Sequence, residues 1–288
     1  MPELPEVETI ARGLAGCVAG DVIDSVWLGK KPEPFKSQTA EIIDVLEAKR
    51  IAQVRRVGKH LVFDLETREQ TRVPARRADA KAAEKSSPRS GAAQWIVHLG
   101  MTGRMLVCPA DQPVAKHTHA IARLASGREL RFVDPRRFGR LSVARAFRAP
   151  GSEPLEVERE SFVNLFRGRK TPIKSALLNQ KLLSGVGNIY ADESLFRAGI
   201  RPRRRAASLS RRELWRLYRV LRKVLEEAIA LGGSSVSDYV GADGEEGFFQ
   251  LQHRVYGRRG QPCLVCRTPI RRQVIAGRSS HYCPHCQR

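Results

Sequence analysis

The chain has 288 residues, 51 of them Lys or Arg and 30 Asp or Glu, for a net charge of +21. That excess points to a polyanionic partner, nucleic acid above all, and a hydrophobic share of 42% excludes a disordered chain. No apolar run approaches the ~18 residues of a membrane helix, and the acidic start MPELPEVETI is no secretory signal, so the expectation is a cytoplasmic protein with no membrane partner.

Residues 3–19 read as a helix. Leu4, Val7, Ile10, Ala11, Leu14 and Val18 recur at three- and four-residue spacing, and Gly20 suits the stop. Short strands follow at Val22–Leu28, Ile51–Val57, Leu61–Leu65, Trp95–Leu99, Met105–Val107, Ala120–Ala125 and Glu129–Val133, with Ser126-Gly127 as a hairpin tip. One helix and many short strands predict a β-sandwich or barrel-like domain. Residues 68–93, rich in Ala, Arg, Ser and Pro, read as a disordered insertion between two strands.

A Pro/Gly-rich linker lies around Ala149–Pro154, and the pattern beyond it is helical. Thr171-Pro172 starts a helix running through Leu183. Ser184-Gly185-Val186-Gly187 breaks it, and Asn188 caps a helix ending near Gly199. Ser210 and Glu213 form a capping box for a long helix over 211–231. A glycine-rich stretch, Gly241–Gly247, precedes a cysteine unit.

Six cysteines in a reducing compartment suggest metal ligands or free thiols rather than disulfides. Cys263-x2-Cys266 and, after sixteen residues, Cys283-x2-Cys286 have the spacing of a four-thiolate zinc site. Four thiolates leave no open position on the metal, so the one zinc is structural. Cys17 and Cys108 are left over and read as buried thiols. From Arg254 to Arg288 there are eight Arg and no Asp or Glu, a composition suited to phosphates. Gly185-Val186-Gly187-Asn188 can gather free backbone N–H groups around a phosphate, although a plain helical hairpin accounts for the same residues equally well. Asp134-Pro135-Arg136-Arg137-Phe138-Gly139 sets two Arg beside a Phe in a rigid turn. Exposed, that Phe can wedge between bases while the Arg hold base edges or phosphate; buried, it is an ordinary core residue. Removal of Met1 exposes Pro2 as a secondary amine with a pKa of ~8, able to attack a sugar C1′ and form an iminium. Glu3 beside it can move protons. A proline that merely starts a helix explains Pro2 as well.

Together MPELPEVETIARGL, HLGMTGRM, DPRRFG, LLNQKLLSGVGNIYADESLF and the cysteine unit, in this order, closely resemble the bacterial formamidopyrimidine-DNA glycosylase family. The resemblance covers nearly the whole chain apart from 68–93. It implies an α+β multidomain protein with an N-terminal catalytic β-sandwich and its N-terminal helix over 1–148 and a linker over 149–158. A helix-two-turn-helix DNA-binding domain over 159–253 and a four-cysteine zinc finger over 254–288 complete it. It implies a monomer that binds damaged double-stranded DNA, associates with the nucleoid, and acts in base-excision repair. The family is a bifunctional glycosylase/AP lyase. It removes 8-oxoguanine opposite C and formamidopyrimidines through a Schiff base on the N-terminal proline, then cuts the strand by β,δ-elimination.

Carried onto this sequence, the resemblance makes Pro2 the nucleophile and Glu3 the general acid on the sugar. Lys59 is the active-site lysine of a strand segment, and Arg278 grips phosphates at the lesion and assists δ-elimination. Met101, Arg136 and Phe138 fill the void left by the extruded base, with Arg136 facing the orphaned cytosine. His117, Arg137, Lys170 and Asn188 hold backbone phosphates, and Cys263, Cys266, Cys283 and Cys286 bind zinc. The 241–247 stretch becomes the loop that closes over the extruded base. The chain departs from the family pattern at 68–93 and at His60, where an aromatic such as Tyr is often found. Three other readings compete. The endonuclease VIII branch shares the chemistry but prefers oxidised pyrimidines, a silent DNA-binding relative lacks the reaction, and a zinc-ribbon RNA binder explains the charge and the cysteines but not Pro2 and Glu3.

Overall fold

The first helix, α1 (Leu4–Val18), buries Leu4, Val7, Ile10, Ala11, Leu14 and Val18 on one stripe, as their spacing predicts. The computed structural model describes residues 1–67, 93–234 and 247–288. Two four-stranded antiparallel sheets follow α1. One joins β2 (Lys49–Val57), β3 (His60–Thr67), β4 (Ala93–His98) and β8 (Arg140–Ala144) in that order. The other joins β1 (Ile23–Leu28), β6 (Thr118–Leu124), β7 (Arg128–Val133) and β5 (Arg104–Pro109). Side chains at every second position, such as Leu61, Phe63 and Leu65 on β3 and Ala120, Ala122 and Leu124 on β6, meet α1 in one core. This is the sandwich that the strand pattern predicts. Helix α2 (Thr39–Leu46) and strand β8 are additions to that pattern, and α2 supplies only Ile42 and Leu46 to the core.

Beyond the sandwich come α3 (Arg159–Phe166), α4 (Ile173–Leu177), α5 (Asn188–Arg197) and α6 (Arg211–Ala230). The expected capping box opens α6, with Ser210 N–H donating to Glu213 at 2.8 Å and Glu213 N–H donating to Ser210 Oγ at 3.2 Å. Two helical expectations need correction. The helix expected to run to Leu183 stops at Leu177, because the Gln180 side chain takes over the backbone of the next turns. Its Nε2 donates to the Leu178 and Val186 carbonyls, and its Oε1 accepts from Gly185 N–H. Asn188 does not cap α5 but is its first helical residue, and Gly187 holds the cap position.

A second core gathers Phe162, Phe166, Tyr190, Leu217 and Leu221 from these helices, and it also takes Leu4. Helix α1 therefore roots its first residue in the helical core and the rest of its stripe in the sandwich core. Leu4 N–H donates to Gly185 O at 3.0 Å. The chain ends in a hairpin, β9 (Arg271–Ile275) and β10 (Arg278–Tyr282). Asp192 of α5 accepts from His281 N–H at 2.8 Å, and Lys174 of α4, in a fully buried ion pair with Asp192 at 2.7 Å, donates to Ser279 O at 2.5 Å, so both helices hold the hairpin. Of the two leftover cysteines Cys108 is buried as expected, whereas Cys17 lies on the outer side of α1 and is exposed. The expectations for 68–93 and 241–247 fall outside the described residues, except that Ala93 opens β4 and Gly247 is described. Among the described residues no helix is long and apolar enough to cross a membrane.

Candidate active site

Because α1 bridges the two cores, the residues just before it emerge at the seam between them. There a cavity of about 740 Å³ is lined by Pro2, Glu3, Lys59, Met101, Asn188 and Arg278, drawn from five distant stretches of chain. Glu3 is 5% exposed. Its Oε1 accepts from Ile189 N–H at 3.2 Å, so the true side-chain partner at the start of α5 comes from the other end of the sequence. Among the described residues Glu3 Oε2 has no hydrogen-bond partner. Burial pushes the Glu3 pKa up to about 7, against the pull of Lys59 and with the repulsion of Glu6. A carboxyl with that pKa can give or take a proton near neutrality.

Glu6 is a site residue that the sequence reading missed. It is 2% exposed and accepts from Glu3 N–H at 2.8 Å, from Ser234 N–H at 2.8 Å and from the Tyr190 hydroxyl. Its signal was present: a carboxylate three residues after Glu3, the reciprocal half of a capping box.

Lys59 lies in the turn between β2 and β3 rather than within a strand. Burial draws its pKa down from the ordinary lysine range, while Glu3 and Glu6 oppose that shift. The turn is pinned by Glu153, which accepts from Gly58 N–H at 2.5 Å and from Arg56 at 2.7 Å; Arg56 also donates to Glu8 at 2.9 Å. Arg278 is exposed at the start of β10, one residue before the stretch anchored by Lys174 and Asp192. Asn188 Nδ2 donates to Ser279 Oγ at 3.3 Å, which joins α5 to the same hairpin.

The remaining expected residues stand outside the cavity. Phe138 is 50% exposed, so the turn of Arg136 and Phe138 presents its ring to solvent rather than to the core, whereas Met101, 43% exposed, lines the cavity. The Arg136 guanidinium lies 4.8 Å over that ring. Arg137 pairs with Glu33 at 3.1 Å. His117 is half-buried, and Lys170 is exposed between α3 and α4.

The family model described as the formamidopyrimidine-DNA glycosylase N-terminal domain matches residues 1–141. That family's H2TH domain matches residues 150–240, and a zinc finger found in FPG and IleRS matches residues 260–288. A formamidopyrimidine-DNA glycosylase of Solibacter usitatus is 41% identical over 298 residues, covering 100% of both chains. The chain belongs to the formamidopyrimidine-DNA glycosylase family. Its fold is similar to the crystal structure of the MutM (FPG) protein of Thermus thermophilus, with a TM-score of 0.81, 41% identity, and 99% and 98% of the two chains covered. It is also similar to MutM in complex with carbocyclic 8-oxo-G containing DNA, with a TM-score of 0.83, 30% identity and 100% of both chains covered.

In this member of the formamidopyrimidine-DNA glycosylase family the zinc-finger thiols are suitably placed. The Sγ atoms of Cys263, Cys266, Cys283 and Cys286 all lie within 4.8 Å of one another, with Cys263–Cys286 at 3.9 Å and Cys266–Cys283 at 3.4 Å. A tetrahedron with Zn–S bonds of about 2.3 Å separates its sulfurs by about 3.8 Å. The four thiolates therefore fit one structural zinc, which would cross-link the two knuckles and hold the β9–β10 hairpin.

Proposed function

We propose that this chain excises oxidised purines, 8-oxoguanine opposite cytosine and formamidopyrimidines, from double-stranded DNA, and then cuts the abasic strand by β- and δ-elimination. The observation that carries this reading is the buried carboxyl of Glu3, poised near neutrality beside Pro2 and Lys59 in one cavity. A similar Lactococcus lactis protein has been solved in complex with an abasic site containing DNA, which supports the second half of the reaction.

With Met1 removed, Pro2 has a secondary amine, and its lone pair attacks C1′ of the extruded nucleoside. The N–C1′ bond forms, the glycosidic bond breaks, and the base leaves with its electron pair and takes up the proton that the proline nitrogen sheds. Glu3 protonates O4′ as the sugar ring opens to the iminium. The iminium acidifies C2′–H. Loss of that proton expels the 3′ phosphate, and a second elimination expels the 5′ phosphate. Lys59 and Arg278 neutralise the phosphate charge that these steps release. His117, Arg137, Lys170 and Asn188 hold neighbouring phosphates, and Met101, Arg136 and Phe138 occupy the space the base vacates. The protein acts as a monomer on nucleoid DNA in the cytoplasm.

Borohydride trapping tests the reading, with one duplex holding 8-oxoguanine opposite C and another an oxidised pyrimidine. A covalent adduct on the first, mapped to Pro2, is the expected result. An adduct mainly on the second would assign an endonuclease VIII-like preference. No adduct on either, with Met1 shown to be absent and DNA still bound, would leave a DNA-binding protein without the reaction.

A further inference from the structure

The turn after β4 carries Met101, and the turn after β7 carries Arg136 and Phe138. Both close on one side chain, Asp134, which is fully buried. Its Oδ1 accepts from the Thr102 hydroxyl at 2.5 Å and from Arg136 N–H at 3.2 Å, and its Oδ2 accepts from Gly139 N–H at 2.8 Å. Its main chain is held as well: Asp134 N–H donates to His117 O at 3.0 Å, and His119 Nε2 lies 2.9 Å from Asp134 O. Among the described residues no Lys or Arg pairs with this carboxylate.

A buried carboxylate without a cation is costly unless every lone pair is engaged. Here the engaging donors come from the two turns that carry the three exposed wedge residues. The turns also touch directly. Gly100 has φ +66, and a Cβ there would lie 2.5 Å from Gly139 N and from Phe138 C, so the backbones meet without a side chain between them.

We propose that Asp134 is a positioning residue that fixes Met101, Arg136 and Phe138 as one rigid wedge, and so governs extrusion of the damaged base rather than the covalent chemistry. This rests on the glycosylase reading above. Forcing side chains into a base stack costs unstacking energy. Ordering loose loops at that moment would add to the cost, and the Asp134 clasp removes that addition in advance.

Asp134→Asn tests the proposal. Whichever way its amide turns, an NH2 faces Arg136 N–H or Gly139 N–H, and one backbone donor loses its acceptor. On a duplex with 8-oxoguanine opposite C and a neighbouring 2-aminopurine, the fluorescence step of unstacking and single-turnover base release should both slow at least about tenfold. On a duplex with a preformed abasic site, where no base is left to unstack, borohydride trapping should stay within about twofold of the parent protein. Thr102→Ala, which releases the Met101 turn while keeping every backbone hydrogen bond, should show a smaller loss with the same selectivity. It carries the test if Asp134→Asn lowers the folded fraction. Unchanged unstacking in both variants, or equal losses on the two duplexes, would overturn the proposal while leaving the glycosylase reading intact. A parent protein that traps neither duplex would remove that reading, and the wedge with it.

Discussion

Gly187→Ala places one methyl group against Glu3, the proposed proton donor. A Cβ at Gly187 would sit 2.1 Å from Glu3 Cδ and 2.3 and 2.5 Å from its two oxygens. Non-bonded carbons rest at about 3.5 Å, so the carboxyl group must retreat by roughly 1.4 Å. That retreat breaks its hydrogen bond from Ile189 N–H and takes it away from the sugar. The backbone is not the obstacle, because Gly187 has φ −128° and ψ −164°, an extended conformation open to alanine. The fold and the wedge should therefore persist while the chemistry suffers. A displacement of about 1 Å at a reacting group costs on the order of 100-fold in rate, or ~2.7 kcal/mol. The assay is single-turnover release of 8-oxoguanine, paired with fluorescence anisotropy on a duplex holding a non-cleavable abasic analogue. Release about 100-fold slower with unchanged affinity is expected. Release within about threefold of the parent, from a folded variant, would refute the placement of Glu3 as the acid.

Base release should follow a bell-shaped pH profile, falling as pH rises because Glu3 loses its proton through about 7 and falling as pH drops because the Pro2 amine, with a pKa of ~8, gains one; an alkaline limb that persists in Glu3→Gln would contradict the assignment. The folded pKa of Glu3 lies above the ordinary carboxylate value of 4.5. Its carboxyl thus contributes fully to stability below that value and loses the contribution as pH rises through about 7, so Glu3→Gln should gain as much as ~3 kcal/mol at pH 8 in urea titrations. Zinc chelation, or Cys266→Ser, should release the β9–β10 hairpin with Arg278 and weaken DNA binding at least about tenfold, reversibly on zinc addition for the chelated protein; unchanged affinity would sink the hairpin's role. Glu153→Gln should leave Arg56, 6% exposed, with Glu8 as its remaining ionic partner, lower stability by about 1–2 kcal/mol and loosen the Lys59 turn; a melting temperature equal to the parent's would count against the clasp.

What the sequence discloses and conceals follows from the reach of each interaction. Helix α1, the Ser210–Glu213 capping box and the four cysteines are local patterns, and the structure repeats them. Strands β3 and β4 carry runs of buried aliphatic and aromatic residues, and β7 alternates Leu130 and Phe132 with charged residues, which makes all three legible. Strand β8 buries only Leu141 deeply, and α2 only Ile42 and Leu46, too few for a periodic signal. The helix expected to run through Leu183 had the right composition, but the Gln180 side chain satisfies the backbone of a tighter path. Asn188 was a sensible cap by residue type. The carboxylate at that helix start comes from Glu3, 186 positions earlier in the chain, and no window of neighbouring residues contains it. For the same reason the pairings of Glu6 with Ser234 and of Glu153 with Gly58 surfaced only in three dimensions. Pro2, Glu3, Lys59 and Arg278 converge on one cavity with Met101 and Asn188, whereas His117, Arg136, Arg137, Phe138 and Lys170 are not part of its lining.

Helix α1 roots Leu4 in one core and Val7 onward in the other. Pro2 and Glu3, the proposed nucleophile and acid, thus stand at the head of a helix shared by two cores. The site works as a coincidence detector: it exists only while both halves grip the same helix. Mild denaturant that undocks the halves should silence catalysis while both cores still melt at their own transitions, so inactivation would report docking before it reports unfolding.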